Sequence, residues 1–244
     1  MIKKDRSALS GWLIGLFLVF VLVAAYFAYP WLRTRVGRMR RLSEWLNNPP
    51  VHQDWSVKVG TRCGEAPFIL PTSGYVGFIW GDSFRPGHQH QGIDVFGGEI
   101  TGKTPVVAAH AGYLTRLPDW KSTVIIRIPS DPLDSGRQIW TYYTHMANKN
   151  GISTISPEFP PGTSEQFVEA GTFLGYQGDY SGDPDNPVGV HLHFSIVKAD
   201  GSGRFRNELE INNTLDPSLY LGLSLNASQN PEMVVICADP NDGP

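Results

Sequence analysis

The chain has 244 residues with a formal net charge of −3, and 41% of the residues are hydrophobic. This length is typical of one substantial domain with an attachment segment. Eight of the 20 Lys and Arg residues lie in residues 1–41, which leaves 12 basic residues against 22 acidic ones in residues 42–244. Because an acidic body repels polyanions, we expect no nucleic-acid partner.

The first element is an apolar run over residues 11–29, which has no charged residue for 19 positions before Pro30. That length crosses a hydrocarbon core of about 30 Å, whereas the apolar part of a secretory signal has only about 7–15 residues. We therefore predict a basic segment at 1–10 and a transmembrane anchor at 11–30, with a cleaved signal as the alternative. The five arginines after the run outnumber the three basic residues before it, which by itself favours a cytoplasmic domain.

Residues 31–60 are predicted to form a juxtamembrane helix and a linker, because Pro49 and Pro50 end the helical pattern. Over residues 61–225, short apolar or alternating runs are separated by Gly, Pro, Asp and Asn, which indicates a mainly β domain. Residues 226–244 are expected to be a C-terminal tail. The candidate strands are Val106–Leu117, Thr123–Ile128, Gln138–His145, Thr172–Tyr176 and Val190–Val197.

The two cysteines, Cys63 and Cys237, lie near opposite ends of this domain. They are either two buried thiols or, in an oxidising compartment, a disulfide that closes a loop of about 170 residues. Because there is no third cysteine, a zinc site made of cysteines is not expected.

Four of the seven histidines lie in two short phrases, residues 87–94 and 189–194. On a strand, His191 and His193 share one face, so one imidazole can bind a metal while the other stands beside it. His90 and Asp94 lie four positions apart, and His88 competes with His90 as a ligand. Two imidazoles and one carboxylate form a plausible catalytic zinc set, against the alternative that all are ordinary surface residues.

These phrases resemble the motifs of the lysostaphin-like, LytM-type zinc endopeptidases of the M23 family, which cut peptides of bacterial peptidoglycan. His90–Asp94 resembles the HxxxD motif, Tyr143–Met146 the YxHL segment and His191–Phe194 the HLHF motif. The similarity covers roughly residues 70–222. Its other segments are Trp80–Gly87, Thr104–Gly112, Gly171–Gly178 and Asp216–Leu221.

The resemblance implies one zinc ion per chain held by His90, Asp94 and His193, with His145 and His191 assisting catalysis. It implies an antiparallel, sandwich-like sheet with a groove, and hydrolysis of stem peptides or cross-bridges by a zinc-activated water. For this function we expect a single-pass protein of the bacterial cytoplasmic membrane with an extracytoplasmic catalytic domain, or a secreted one after signal cleavage. A non-hydrolytic module that binds cell wall or activates another hydrolase is the alternative.

The sequence departs from the family between His145 and His191, where residues 148–170 form an apparent insertion. The insertion leaves the proposed ligands intact and affects the expected groove and substrate preference. Five aromatic residues are candidates for lining that groove, although aromatic residues in strands more often pack in the core. They are Trp80, Tyr142, Tyr143, Tyr176 and Tyr180.

Overall fold

The computed structural model describes residues 6–83, 87–230 and 235–237, with the backbone alone for residues 6–11 and 27–36. By its internal contacts the chain divides into two compact units, with the boundary between Arg40 and Arg41. Most of the predicted tail at 226–244 lies outside the described residues, which there comprise 226–230 and 235–237.

Helix α1 (Arg6–Asn47) ends just before Pro49 and Pro50, where the sequence predicts a stop. The described side chains of the first unit include residues 12–26, which are exposed. In the part of the chain that the structure describes, no helix is long and apolar enough to cross a membrane. The predicted anchor at 11–30 is therefore not confirmed, and the side chains of residues 11 and 27–30 lie outside the described ones.

The second unit is built on antiparallel sheet, as the sequence predicts. All the strand pairings described are antiparallel. The strands are β1 (Ser56–Val57), β2 (Gly74–Phe78), β3 (Ile93–Phe96), β4 (Pro105–Val107), β5 (Gly112–Thr115), β6 (Val124–Ile128), β7 (Ile139–Thr144), β8 (Gln166–Val168), β9 (Phe173–Tyr176), β10 (Leu192–Lys198) and β11 (Thr214–Leu215). Short helices are the 3-10 helices Pro49–Trp55 and Ile211–Asn213 and the α-helix α2 (Ser218–Leu221).

The nine-stranded main sheet has the spatial order β1-β2-β3-β10-β7-β6-β5-β8, with β11 paired to β10. Strands β4 and β9 form a separate two-stranded sheet. The order places β10 at the centre, between β3 and β7. Residues that are 99 or more positions apart in sequence, such as Asp94 and His193, therefore lie side by side.

The predicted strand Val106–Leu117 is wrong, because the structure divides it into β4 and β5, which belong to different sheets. Between them the backbone of Ala108 bonds to Gly171 and Thr172, and the carbonyl of Ala109 accepts from Ile69. These bonds direct the chain away from a single ladder. The stretch 148–170, predicted as an insertion, contributes β8 to the edge of the main sheet beside β5.

The main core lies on one face of the sheet, where Leu192, Phe194 and Ile196 of β10 are completely buried. The small sheet adds Val106 and Leu174 to the same cluster. Since side chains alternate along a strand, the residues between them on β10 point to the opposite face. The HLHF phrase therefore has one core face and one polar face, as its pattern predicts.

Cys63 and Cys237 form a disulfide with a Cα–Cα distance of 5.3 Å across a sequence separation of 174 residues. This bond ties the C-terminal segment to the start of the domain. The double substitution Cys63→Ser, Cys237→Ser is expected to lower the free energy of unfolding by about 3–5 kcal/mol, because the unfolded chain regains the entropy of an open loop. Urea unfolding of both proteins measures the difference, and equal midpoints and slopes would contradict the expectation.

Candidate metal centre

Three predicted ligands come from neighbouring elements at the middle of the main sheet. Asp94 is the second residue of β3, and His193 is the second residue of β10. These two residues are direct partners across the antiparallel pair, so their Cβ atoms lie within about 5.5 Å of each other. His90 lies in the loop that leads into β3 and enters the same space.

The loop that carries His90 is held by backbone contacts on both sides. The amide of His90 donates to the carbonyl of Asp82 at 2.6 Å, and the amide of Gly81 donates to the carbonyl of His90 at 2.8 Å. At Gly92 a Cβ atom would lie 2.1 Å from the carbonyl oxygen of Phe194, so only glycine lets the loop approach β10 this closely. The glycine of the HxxxD phrase thus positions its histidine.

The side-chain atoms of these residues converge on one point. The Nε2 atom of His90 lies 3.0 Å from Asp94 Oδ1 and 3.0 Å from His193 Nδ1, and the latter two atoms are 2.8 Å apart. Tetrahedral zinc with ligands at about 2.0–2.1 Å separates its ligand atoms by about 3.3 Å, so a small expansion admits the ion. His90, Asp94 and His193 are thus a group that can hold a metal ion.

The hydrogen bonds of His90 also fit a metal ligand. Its Nδ1 atom lies 3.2 Å from the carbonyl oxygen of Ile79, which can only accept, so Nδ1 carries the proton. A neutral His90 then presents a bare Nε2 lone pair towards Asp94 and His193. A carboxylate oxygen and a bare imidazole nitrogen repel each other unless a proton or a cation lies between them, which is the arrangement that a metal satisfies.

The charges of the centre favour a cation as well. Burial alone raises the pKa of Asp94, but its electrostatic interactions and hydrogen bonds with the surrounding imidazoles outweigh burial and hold that pKa well below the usual range. Burial lowers the pKa of His90, yet Asp94 more than compensates and the net pKa is raised. Burial also lowers the pKa of His193, and its contact with Asp94 offsets this only in part. Without metal, His90 is therefore the imidazole that retains a proton most readily.

We expect zinc binding to displace this proton. Because His90 binds a proton more tightly than an ordinary histidine, the apparent zinc affinity should fall about tenfold for each pH unit below its pKa. Calorimetry of zinc binding between pH 5.5 and 8 in buffers of different ionisation enthalpy gives the number of protons released. A pH-independent affinity with no proton release would contradict the expectation.

Two more predicted histidines, His145 and His191, lie beside the ligands. Their ring centroids are 4.5 Å apart, and the ring of His145 is 6.3 Å from that of His193. The Nδ1 of His145 donates to the carbonyl of Tyr180 at 2.7 Å, and the Nδ1 of His191 donates to the carbonyl of Gly189 at 2.5 Å. Each imidazole therefore keeps its Nε2 for other partners.

The backbone and the electrostatics distinguish these two histidines. His145 has a φ of 69°, a left-handed conformation that is uncommon for residues with a side chain and is often found at functional sites. Burial lowers the pKa of His191 to about 4, although its Nε2 lies 3.6 Å from Asp94 Oδ1. His191 is therefore neutral near pH 7, and its Nε2 carries a lone pair because Nδ1 holds the proton.

The structure gives the other three histidines different surroundings. His88 lies in the same loop as His90 but is outside the group of converging ligand atoms. His110 contacts Phe68 and donates from Nδ1 to the carbonyl of Ala111 at 2.8 Å. His52 stacks on Trp55 at 4.0 Å.

The aromatic candidates for lining the groove also lie in different surroundings. Tyr142 on β7 lies 6.1 Å from the ring of His193, and burial raises its pKa to about 12. Tyr143 points to the core, where its hydroxyl accepts from the amide of Ala109. Trp80 donates to Thr214 at 3.0 Å. Tyr142 therefore contacts a ligand ring, and Tyr180 contacts His145 through its carbonyl.

Sequence reasoning missed the groups that orient the histidines. The carbonyls of Ile79, Tyr180 and Gly189 fix three imidazoles, and a carbonyl has no residue-specific signal. Phe96 was also missed, although its ring stacks on His191 with centroids 4.8 Å apart. Here a signal existed, because Phe96 follows Asp94 by two positions on β3 and so lies on the same face.

The fold and the centre together define an antiparallel β-sheet domain with a His-Asp-His group that could hold a metal ion. A scan against protein-family models finds no match, and no curated protein matches the chain. Solved structures do match it. Lysostaphin, an antimicrobial peptidase from Staphylococcus simulans, is 18% identical with a TM-score of 0.37, over 70% of this chain and 56% of lysostaphin.

Two further solved structures also match the chain. The catalytic domain of EnpA, a prophage-encoded M23 protein from Enterococcus faecalis, is 22% identical with a TM-score of 0.35, over 62% of this chain and 94% of that domain. Csd3 from Helicobacter pylori is 19% identical with a TM-score of 0.37, over 58% of this chain and 33% of Csd3. The structural neighbours are thus M23 peptidases, as the motifs predicted, but likenesses this weak carry no argument about activity.

Proposed function

We propose that this protein is a zinc-dependent endopeptidase that hydrolyses peptide bonds of bacterial peptidoglycan. The observation that carries the proposal is the convergence of His90, Asp94 and His193 within 3.0 Å, next to His145 and His191. A set of two imidazoles and one carboxylate suits zinc, and it leaves a position open for substrate chemistry.

The ligands and the two neighbouring histidines have separate tasks in this proposal. When bound, zinc supplies a Lewis acid that polarises a carbonyl and lowers the pKa of water. His90 and His193 bind through nitrogen atoms, and the ionised Asp94 compensates the charge of the cation. His145 and His191 present Nε2 atoms that take up a proton from the attacking water and return one to the leaving amine.

The hydrogen bonds of the Nδ1 atoms determine which nitrogen of each imidazole transfers the proton. In each of His145 and His191, Nδ1 is committed to a backbone carbonyl, so proton uptake and release occur at Nε2. Proton transfer by a positioned side chain typically contributes about 10²–10⁴-fold to the rate, and an imidazole that is already oriented loses little freedom on reaching the transition state. In this proposal the five residues together carry out hydrolysis of the amide bond.

Peptidoglycan is proposed as the substrate because the motifs resemble those of peptidases that cut its stem peptides and cross-bridges. To test this, purified peptidoglycan is incubated with the zinc-loaded protein, and released fragments are identified by mass spectrometry. Peptide fragments with new amino termini are expected, and a matched digest with a chelator should release none. If the zinc-loaded protein binds the wall yet releases no fragment, it is a non-hydrolytic module and the proposal fails.

We further propose that the catalytic domain lies outside the cytoplasm of a bacterial cell, where peptidoglycan is found. The disulfide between Cys63 and Cys237 supports this location, because disulfides persist in oxidising compartments and are rare in the cytosol. Tethering through residues 11–30 stays a prediction. Fusion of a phosphatase that is active only outside the cytoplasm to the C-terminus tests the location, and an inactive fusion would contradict it.

A further inference from the structure

The imidazole of His191 contacts two other rings. The ring of Phe96 stacks on it with centroids 4.8 Å apart and an interplanar angle of 22°, and the ring of His145 lies 4.5 Å away. The bond from Nδ1 to Gly189 fixes one atom of the imidazole. A stacked neighbour restrains the remaining freedom, which is tilting of the ring plane about that bond.

Phe96 is itself held by its surroundings. It is 5% exposed and packs in a cluster with Leu42, Trp45 and Tyr75. The indole of Trp45 donates to the backbone carbonyl of Phe96 at 2.8 Å. At Gly77 a Cβ atom would lie 2.6 Å from Cε2 of Phe96, so the glycine leaves space for the ring in this position.

Two of the residues in the cluster around Phe96, Leu42 and Trp45, come from the end of helix α1. Leu42 and Trp45 belong to the second unit, together with the sheet. Trp45 is 1% exposed, and the following segment continues the contact, since a Cβ at Gly98 would lie 2.5 Å from Pro49. Residues 42–49 are therefore a packed part of the β domain that reaches the backbone of β3 beside the metal centre.

We propose that Phe96 is a positioning residue for His191, and that Trp45 at the end of helix α1 fixes Phe96 in turn. This inference rests on the proposed function, because it concerns the orientation of a histidine assigned to proton transfer. The ring of Phe96 holds the plane of His191 so that Nε2 faces the reacting group. Residues 42–49 thereby contribute to the reaction although they lie outside the candidate ligand group.

The main test is Phe96→Leu in the full chain, which keeps an apolar side chain and removes the stacked ring. We expect kcat for peptidoglycan peptides to fall roughly 10- to 100-fold, with KM and zinc content unchanged, since misplacement of a catalytic group by about 1 Å has such an effect. The matched control is Phe68→Leu, which also removes a buried aromatic ring. The ring of Phe68 contacts that of His110, with centroids 5.0 Å apart, and neither residue belongs to the proposed centre. Phe68→Leu should lose comparable stability but keep kcat.

A spectroscopic measurement does not depend on activity. In protein with ¹³C-labelled histidines, the ring protons of His191 should move downfield in Phe96→Leu, because the shielding by the stacked ring is lost. Phe68→Leu should leave these signals in place. A second variant, Trp45→Phe, retains an aromatic ring but loses the bond to the carbonyl of Phe96, and a fall in kcat of about twofold to tenfold is expected.

The outcomes separate this inference from the proposed function. Unchanged kcat or unmoved His191 signals in Phe96→Leu would overturn the positioning role. If Phe96→Leu does not fold, Trp45→Phe decides, and wild-type kcat in that variant would overturn it. Absence of hydrolysis by the wild-type protein contradicts the proposed function instead, and the His191 signals still report whether Phe96 stacks on the imidazole.

Discussion

Replacing His90 by alanine is expected to abolish zinc binding at the centre and, with it, peptide hydrolysis. His90 is buried and supplies one of three converging ligand atoms, and no other described imidazole nitrogen lies with Asp94 and His193 in the ligand group. Loss of a residue that only orients a ligand costs about 10- to 100-fold in affinity, so loss of the ligand itself should cost at least 100-fold. Competition with a chromogenic chelator measures the change.

His88→Ala is the matched control for this experiment. His88 lies two positions from His90 in the same loop and is half-buried, but it is not in the converging group. We expect His88→Ala to bind zinc as the wild type does. Weak zinc binding by His88→Ala together with normal binding by His90→Ala would exchange the two assignments.

Replacing His145 by asparagine is expected to lower kcat roughly 10²–10⁴-fold while zinc binding stays normal. Asparagine tolerates the left-handed backbone, and its amide can still donate to the carbonyl of Tyr180. The substitution therefore removes the basic Nε2 and little else. Single-turnover assays on soluble stem peptides separate the chemical step from substrate binding.

His110→Asn is the corresponding control, because His110 also donates from Nδ1 to a backbone carbonyl at 2.8 Å but contacts Phe68 away from the metal. Normal kcat is expected for this variant. If His145→Asn also has normal kcat, His145 does not transfer a proton in the reaction. If it loses zinc, His145 is a ligand and the division into ligands and proton carriers is wrong.

The sequence predicted the parts of the centre that depend on local periodicity. Alternation along Val190–Val197 places His191 and His193 on one face and Leu192 and Phe194 in the core, as the structure shows. The glycine of the HxxxD phrase stands where only glycine fits, close to the carbonyl oxygen of Phe194. These features need only the geometry of a strand and the space around one residue.

The features that the sequence did not predict depend on contacts between distant segments. The split between β4 and β5 follows from backbone hydrogen bonds to residues around Ile69 and Gly171. No local sequence pattern predicts these hydrogen bonds. The same holds for the pairing of Asp94 with His193 and for the indole of Trp45 on Phe96. Strand order in an antiparallel sheet is set by such long-range packing, which a single sequence does not encode in its periodicity.

The central claim is a zinc centre made by two imidazoles and one carboxylate, and X-ray absorption of the zinc-loaded protein tests it most directly. We predict one zinc ion per chain, scattering from two imidazole rings, and nitrogen and oxygen neighbours at about 2.0–2.2 Å. His90→Ala and His193→Ala should hold no zinc at the centre, whereas His88→Ala should retain both the zinc and the imidazole scattering. A zinc content well below one per chain, or sulfur neighbours at about 2.3 Å, would contradict the account.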